Sequence, residues 1–339
     1  MSERYLWDRS GPPDPLMRQL EQTLAPLAGK PVGPMPFAFS SRRSFVMRLR
    51  APFAASAAVL AFFAWQSLLA SRPQSAWLVI AASGNAHVNK SPLRGAAKVG
   101  INEWLETGAD GRVELRVGQI GSVAVEPSSR MRVMRSESQQ QRMELAVGEI
   151  SAVIFAPPRL FVVQTPSATA VDLGCAYRLK MAPDGSGELS VTAGWVALER
   201  RGAEVYVPSG AACRIRPHAG PGVPWFRDAS EEFRDAVRRW DAVGADQNAA
   251  TSADATNHAS EVSLRAFEDL IRSAVRRDTL TLWHLLGDAS SAQRDRILTR
   301  IAEIASPRGG AAIRESREAL LHGDAAAMSA LRAALRQDW

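Results

Sequence analysis

Two similar stretches lie 30 residues apart in this sequence: "VELRVGQIGSV" at Val113–Val123 and "MELAVGEISAV" at Met143–Val153. Six of their eleven aligned positions are identical. A looser third copy, "ELSVTAGWVAL", occupies Glu188–Leu198 and has two residues inserted before its glycine. Each copy has the pattern of an alternating apolar strand, a glycine and a second strand. The repeat therefore predicts a mainly β fold built from recurring two-strand units.

The glycine in each copy, at Gly118, Gly148 or Gly194, separates the two strands. Glycine permits a turn or a bulge, so the apolar face can change from odd to even positions after it, as from Leu145 to Ile150. We expect these three glycines to set the kinks between strands. Repeated units of this kind favour a β-solenoid or β-roll, and a β-sandwich is the alternative.

Strand patterns and turn sequences continue on both sides of the repeat. "RVELRV", "ELSV" and "AEVYV" alternate between apolar and polar residues, and "APDGSG" and "ERRGAE" are typical of turns. We therefore place a β domain at residues 76–225. Residues 226–339 carry amphipathic helical patterns such as "SSAQRDRILTRIAEIA", which predict an all-α region.

An uncharged segment of 20 residues, "APFAASAAVLAFFAWQSLLA", fills Ala51–Ala70. A helix of that length spans about 30 Å, the hydrocarbon thickness of a bilayer. Arg72 is the only charged residue between this segment and Lys90, whereas four arginines shortly precede it: Arg42, Arg43, Arg48 and Arg50. The positive-inside rule therefore predicts a transmembrane helix at 51–71, with a cytoplasmic N-terminus and the remainder outside the cytoplasm. The 50 preceding residues disfavour a cleaved signal peptide.

Residues 1–50 are predicted to form a short cytoplasmic segment with one amphipathic helix. Four leucines recur at helical spacing between proline and glycine breaks: Leu16, Leu20, Leu24 and Leu27. One helix cannot bury a core by itself. It therefore either docks on a partner or lies on the membrane, and a cytoplasmic partner is the more informative hypothesis.

Charge and motif content argue against several classes of protein. The net charge is +6, but lysines and arginines alternate with acidic residues, as in "EEFRDAVRRWDA", so nucleic acid is not an expected partner. The five histidines form no H-x-x-H or H-E-x-x-H pair, which argues against a metal site. No G-x-S-x-G motif, paired-carboxylate motif or phosphate-binding loop is present. We therefore expect neither catalysis nor a cofactor.

A family pattern is carried by several stretches together with the apolar segment. They are "YLWDRSGPPDP", "TGADGRVELRVGQIGSVAVEPSSRMRV", "LAVGEISAVIFAPPRLFVVQTPSATAVDLGCAY", "GWVALERRGAEVYVPSGAACRIRP" and "GPGVPWF". In combination they resemble the FecR family of bacterial inner-membrane proteins, most closely over residues 5–14 and 106–226. Besides the three repeat glycines, the signature or structural positions are Thr165, Pro166, Asp172, Gly174 and Trp195.

The resemblance implies a transmembrane signal transducer. In that family a periplasmic domain senses an outer-membrane receptor, and a cytoplasmic N-terminal segment controls an extracytoplasmic-function sigma factor. We therefore expect a single-pass regulatory protein of the bacterial inner membrane, of the anti-sigma-factor type. Its periplasmic domain would sense an envelope protein or ligand and relay to a cytoplasmic partner such as a sigma factor. The alternative is a membrane-anchored periplasmic scaffold that binds protein or glycan without controlling a sigma factor.

The sequence holds two cysteines, Cys175 and Cys213. Both follow the apolar segment, so both are predicted to lie where disulfides form. A disulfide between them would close the loop of chain that separates them, and would stabilise the fold by about 4 kcal/mol in the chain-entropy model. A nucleophilic thiol would need a nearby base, and no histidine lies in the repeat units. We expect a disulfide, with two buried free thiols as the alternative.

Overall fold

The structure is a computed structural model that describes residues 76–93, 95, 97–246, 253–287 and 289–339. The predicted transmembrane helix at 51–71 and the helix that carries Leu16, Leu20, Leu24 and Leu27 lie outside these residues. None of the described helices is long and apolar enough to cross a membrane.

The described part of the chain forms strands first and helices afterwards. The strands are β1 (Trp77–Ser83), β2 (Ala86–Val88), β3 (Ser91–Pro92), β4 (Lys98–Val99), β5 (Trp104–Thr107), β6 (Arg112–Val117), β7 (Gly121–Val125), β8 (Arg130–Glu137), β9 (Gln140–Ile154), β10 (Phe161–Gln164), β11 (Thr169–Asp172), β12 (Ala176–Met181), β13 (Gly187–Ala193), β14 (Trp195–Arg200), β15 (Ala203–Pro208), β16 (Ala211–Arg216), β17 (Gly220–Pro221) and β18 (Trp225–Phe226). The helices are α1 (Glu231–Asp246), α2 (Ala253–Ser273), a 3-10 turn (Arg276–Asp278), α3 (Thr279–Leu285), α4 (Ser291–Ile304), α5 (Pro307–Leu321) and α6 (Ala325–Leu335).

The strands are arranged in two layers that share one long strand. The first layer has the order β4–β1–β6–β7–β9–β12–β13–β16, and β17 and β18 lie at its end. The second layer has the order β3–β2–β5–β8–β9–β10–β11–β14–β15. Strand β9 pairs within the second layer up to Val147 and within the first layer from Gly148 onward. It therefore carries the chain from one layer to the other.

The pairing is antiparallel throughout the described strands, except between β9 and β10 and at the isolated bridge between Ile101 and Val133. Stacked solenoid coils would instead pair each unit in parallel with the next. The buried side chains of both layers form one core, and the sheet does not close into a barrel. The preferred solenoid or β-roll is therefore not what the pairing shows, and the alternative sandwich describes the two layers better. The prediction of a mainly β region followed by C-terminal helices is confirmed.

The three repeat copies take three different courses through these layers. The first forms the β6–β7 hairpin, with Gly118 in the turn. The second is a single continuous strand, β9, which changes layer at Gly148. The third runs from β13 to β14 and changes layer at Gly194. All three glycines have positive φ, at 50°, 98° and 72°, a region that residues with a side chain rarely adopt.

The core of the β region follows from strict alternation along each strand. In β6, Val113, Leu115 and Val117 are fully buried, while the residues between them point away from the core. Trp77 is also fully buried, and its Nε1 donates to Oε1 of Gln141 at 3.0 Å. The indole therefore fills the core with its polar nitrogen satisfied.

The helical region has a second core that includes part of the first layer. Ala212 of β16 and Trp225 of β18 pack with Phe233 of α1, Phe267 of α2 and Leu282 of α3. These helices therefore cover the outer face of the first layer at its β16 end. The residues that the structure describes form one compact unit. The domain limits at 76–225 and 226–339 stay predictions.

Candidate functional site

The signature segment from Thr165 to Cys175 forms two turns that connect three strands. In the first turn, between β10 and β11, the Thr165 hydroxyl accepts a hydrogen bond from the Ala168 amide at 2.9 Å. The same hydroxyl donates to the Ala168 carbonyl at 2.7 Å. Pro166 is exposed in this turn, where its missing N–H removes no hydrogen bond from the sheet. The Thr165 side chain thus stabilises the turn through these two hydrogen bonds to Ala168.

The second turn, between β11 and β12, is organised by Asp172. Its side chain is 1% exposed, and Oδ1 accepts from the Gly174 amide at 2.7 Å. Oδ2 accepts from the Cys175 thiol. Gly174 has a φ of 88°, which glycine adopts without strain. The buried carboxyl group therefore satisfies two donors of its own turn, which is a structural role.

The electrostatics of this turn do not favour nucleophilic chemistry. Burial raises the pKa of Asp172 above its usual range. Burial, together with the Asp172 carboxyl group, raises the pKa of Cys175 far above that of an ordinary thiol. The pKa of Tyr177 is also raised by burial, and its hydroxyl has no hydrogen-bond partner among the described residues. The Cys175 thiol therefore stays protonated and is a poor nucleophile.

The expected disulfide between Cys175 and Cys213 is not formed, since both are buried free thiols. The strand register gives the reason. Leu179 of β12 lies opposite Leu189 of β13, which lies opposite Cys213 of β16. Two strand spacings of about 4.8 Å and four residues of about 3.4 Å place the two cysteine Cα atoms roughly 16 Å apart. A disulfide requires a Cα separation below about 7 Å.

Trp195, at the start of β14, lies where the β region meets the helices. Its ring centroid is 6.0 Å from that of Trp339, and the Arg336 guanidinium carbon is 4.9 Å from its ring centre. Nε1 of Trp339 donates to Oγ1 of Thr279 at 3.1 Å. Trp195 is half-buried, and its contact with Trp339 joins the β region to the helical region.

Two further contacts join the regions through α3, one at the buried Thr281 and one at the half-buried His284. The Thr281 hydroxyl donates to the Pro224 carbonyl at 2.6 Å. Nε2 of His284 lies 3.2 Å from the Tyr206 carbonyl of β15. Burial lowers the pKa of His284 to about 3, so the ring is neutral at pH 7 and donates from Nε2 to that carbonyl. His284 thus has a structural role at this junction, and no sequence pattern identified Thr281 as a contact.

The described residues show no metal-binding cluster, since no group of three or more His, Cys, Asp or Glu side chains among them could hold a metal ion. Of the positions singled out in the sequence, Asp172, Gly174 and Cys175 meet in one turn. Trp195 lies at the junction, and the repeat glycines lie at the strand connections described above. The four leucines of the N-terminal helix are outside the described residues.

Part of the chain matches a known protein family. The family model described as "FecR protein" matches residues 103–197, from β5 to the first residues of β14. A search of curated proteins gives no significant match.

Two crystal structures of a proposed anti-sigma factor from Parabacteroides distasonis ATCC 8503, at 1.65 and 2.50 Å resolution, are similar to this chain. Each is 18% identical to it, and the similarity covers 40% of this chain and 63% of theirs, with a TM-score of 0.33. That TM-score establishes neither a common fold nor a common function. The family match is independent of these structures. Residues 103–197, which include the signature turns and most of the repeat, therefore match the FecR family, and the family resemblance seen in the sequence is confirmed over these residues.

Proposed function

We propose that this protein is a non-enzymatic signal transducer whose FecR domain takes part in sensing. The observation that carries this proposal is the family match over residues 103–197. The chemistry of the described residues agrees with a binding role. The cysteine of the signature turn has a strongly raised pKa, and His284 is held neutral and hydrogen-bonded to the backbone.

The junction supports signalling through the helical region as well as through the β layers. Trp195 lies within the residues that match the FecR family model, and its ring contacts Trp339 of the helical region. The Thr281–Pro224 hydrogen bond is buried, so it is protected from competition with water. A partner that binds either region could therefore change the position of the other.

The finer parts of the proposal come from the sequence. The uncharged segment at 51–71 would anchor the protein in the bacterial inner membrane, with the bulk of the chain in the periplasm. The helix with Leu16, Leu20, Leu24 and Leu27 would bind a cytoplasmic partner, and an extracytoplasmic-function sigma factor is the proposed one. On the periplasmic side, an envelope protein or ligand would supply the signal.

An exchange of the N-terminal segment tests this relay. Residues 1–45 are replaced by an unrelated cytoplasmic segment of equal length, with the membrane segment kept, and the transcriptome is compared with those of wild-type and deletion cells. We expect the exchanged protein to reach the membrane at normal levels and to reproduce the transcriptional profile of the deletion. A wild-type profile would support the anchored scaffold instead.

A point substitution tests the partner helix more specifically. Leu20→Asp puts a charge on the leucine face, whereas Gln22→Asp puts the same charge on the opposite face of the predicted helix. We expect cross-linked complexes from membranes to contain a sigma factor with the wild-type protein and with Gln22→Asp, but not with Leu20→Asp. Equal recovery with both variants, or no transcription component with any, would refute the relay.

A further inference from the structure

A cavity of about 620 Å³ lies between the outer face of the first layer and helix α1. Trp225 of β18 lines it and is 7% exposed. Five arginines line the same cavity, against two carboxylates: Arg214, Arg227, Arg234, Arg238 and Arg277 against Glu188 and Asp228. The charged side chains of the lining therefore carry three net positive charges.

Two of the five arginines are neutralised by neighbouring carboxylates. Arg277 forms an ion pair with Asp228. Arg238 forms an ion pair with Asp235, three residues earlier on α1. The other three arginines form no ion pair with any residue that the structure describes. Their positive charges line the same concave surface, where Glu188 is the one lining carboxylate outside these ion pairs.

The surroundings of two of these arginines, Arg214 and Arg234, differ from an ordinary solvated face. Nε of Arg234 is buried and has no hydrogen-bond partner within the described residues. The Arg214 guanidinium carbon lies 5.0 Å from the ring centre of Trp225, so an apolar ring backs the charge. Positive groups that converge on a concave surface with an apolar wall concentrate the field and attract anions. Guanidinium groups also match phosphate and carboxylate oxygens in pairs.

The positive surface extends into an adjoining cavity of about 610 Å³ along the same outer face. The two cavities share Glu188, Arg214 and Arg238, and the second adds Lys180 and Arg216. Asp241 also lines the second cavity. A ligand with two linked anionic groups could therefore contact both cavities through Arg214 and Arg238.

We propose that this arginine cavity binds a phosphorylated ligand with at least two phosphate groups. Each cavity has a size that is usual for small-molecule sites, about 300–1,000 Å³. The three arginines without ion-pair partners outnumber the remaining carboxylate, Glu188, so the cavity offers an excess of positive charge to the oxygens of a diphosphate group. The ligand is either free in solution or a lipid headgroup, since both present the same oxygens. The site lies mostly outside residues 103–197, and its existence does not depend on the regulatory role proposed above.

Calorimetry on the full chain in phosphatidylcholine nanodiscs tests the proposal, with inorganic pyrophosphate as the probe. We expect one pyrophosphate to bind per chain, with a dissociation constant below about 1 mM. Arg214→Gln combined with Arg234→Gln should weaken binding by at least about tenfold. Arg178→Gln is the matched control, because Arg178 lies on the same face of the sheet, pairs with Glu149 and does not line the cavity. It should bind pyrophosphate as the wild type does.

Three outcomes would overturn the proposal. One is absence of binding at about 10 mM pyrophosphate to wild-type protein whose folding is verified by circular dichroism. Another is an equal loss of affinity in Arg178→Gln, which would indicate non-specific attraction. The third is tighter binding of an acidic peptide than of pyrophosphate.

A second arm distinguishes the two sources of phosphate. Cardiolipin, a lipid whose headgroup carries two linked phosphate groups, is added to the nanodiscs, and the pyrophosphate titration is repeated with the wild-type chain. If the headgroup is the ligand, it competes, and the apparent affinity for pyrophosphate falls. If the ligand is free in solution, the affinity stays the same. Either result agrees with a phosphate site, provided that Arg214→Gln combined with Arg234→Gln weakens pyrophosphate binding as stated above.

Discussion

The indole rings of Trp195 and Trp339 lie with their centroids 6.0 Å apart and their planes inclined by 50°. Trp195 lies within the residues that match the FecR family model, whereas Trp339 belongs to the helical region and also contacts Trp283, at 6.2 Å. Aromatic pairs at such separations stabilise a fold by about 1 kcal/mol beyond the area that they bury. This ring cluster is therefore a direct link between the two regions.

Removal of the Trp339 ring should weaken that link. We expect Trp339→Ala to lower the free energy of unfolding by about 2 kcal/mol, less than for a fully buried tryptophan because the ring is half-buried. Trp339→Phe keeps a ring against Trp195 and should cost about half as much. Urea unfolding of both variants measures the difference. Equal losses would show that the hydrogen bond to Thr279, rather than the ring contact, is what matters.

The repeat glycines should differ in their tolerance of a side chain. A Cβ atom on Gly148 would lie 2.3 Å from Cα of Ser129, which is backbone and cannot move aside. On Gly118, the nearest atom would be Nε2 of Gln141, at 3.9 Å. We expect Gly148→Ala to lower the free energy of unfolding by more than about 3 kcal/mol, and Gly118→Ala by about 1 kcal/mol.

Gly202→Ala is the control for the glycine comparison. Gly202 has a φ of 86°, close to that of Gly148, but a Cβ atom there would meet nothing within 4 Å. It therefore measures the cost of the backbone conformation alone. If Gly202→Ala destabilises the protein as much as Gly148→Ala does, close packing against Ser129 is not the reason why β9 needs glycine.

These glycines also show how far the sequence could predict the fold. The strands were predictable because alternation is a local property, and copies that begin "VELRVG" and "MELAVG" both form strands. The direction that the chain takes after each glycine was not predictable, because it depends on contacts that are distant in sequence. Gly148 packs closely against Ser129 of a neighbouring segment, whereas Gly118 has no such close contact among the described residues. The solenoid interpretation was wrong for that reason, since it assumed that similar sequences turn in the same way.

Two other features depended on contacts that are distant in sequence. The disulfide was expected because two cysteines lay on one side of the membrane segment, but β13 separates Cys175 from Cys213. The arginine cavity was not predicted, because its arginines come from β16, the turn after β18, α1 and the 3-10 turn before α3. Each of these segments looks like an ordinary charged stretch by itself. Only tertiary packing reveals the shared cavity.

The two cysteines should be unreactive in the folded protein. Burial raises the pKa of Cys175 and of Cys213, so little thiolate is present and reagents cannot reach it. We expect alkylation at pH 8 to be at least about 100-fold slower in the native state than in urea, where both thiols react.

An added thiol provides the control for that measurement. Ala203 is exposed on β15, so Ala203→Cys should react at once with the native protein. Reducing agent should change neither the urea midpoint nor the gel mobility of the wild type. Loss of stability on reduction, or protection of both thiols in urea without reductant, would contradict the free-thiol state.

The buried carboxyl group of Asp241 should make stability depend on pH between about 4 and 6. Its Oδ1 accepts from the Val223 amide at 3.2 Å, whereas Oδ2 is buried without a hydrogen-bond partner among the described residues. Burial raises the pKa of Asp241 to about 6, although Arg216 and Arg214 partly oppose the shift. Because the folded state binds this proton more tightly, the stabilisation is complete below pH ~4 and is lost as the pH rises through about 6.

Asp241→Asn should remove this contribution, because the amide cannot ionise and its oxygen can still accept from the Val223 amide. We expect the free energy of unfolding of the variant, measured by urea at pH 4, 5, 6 and 7 (steps of about one unit), to fall less steeply with pH than that of the wild type. Asp184→Asn is the opposite case: hydrogen bonds from Ser186 lower the pKa of this exposed carboxyl group, so its contribution is lost as the pH falls. The free energy of unfolding of that variant should therefore change with pH as in the wild type between pH ~4 and ~6.

A wild-type pH dependence in Asp241→Asn would contradict this assignment. It would instead assign the pH dependence to Asp278, whose pKa burial also raises to about 6.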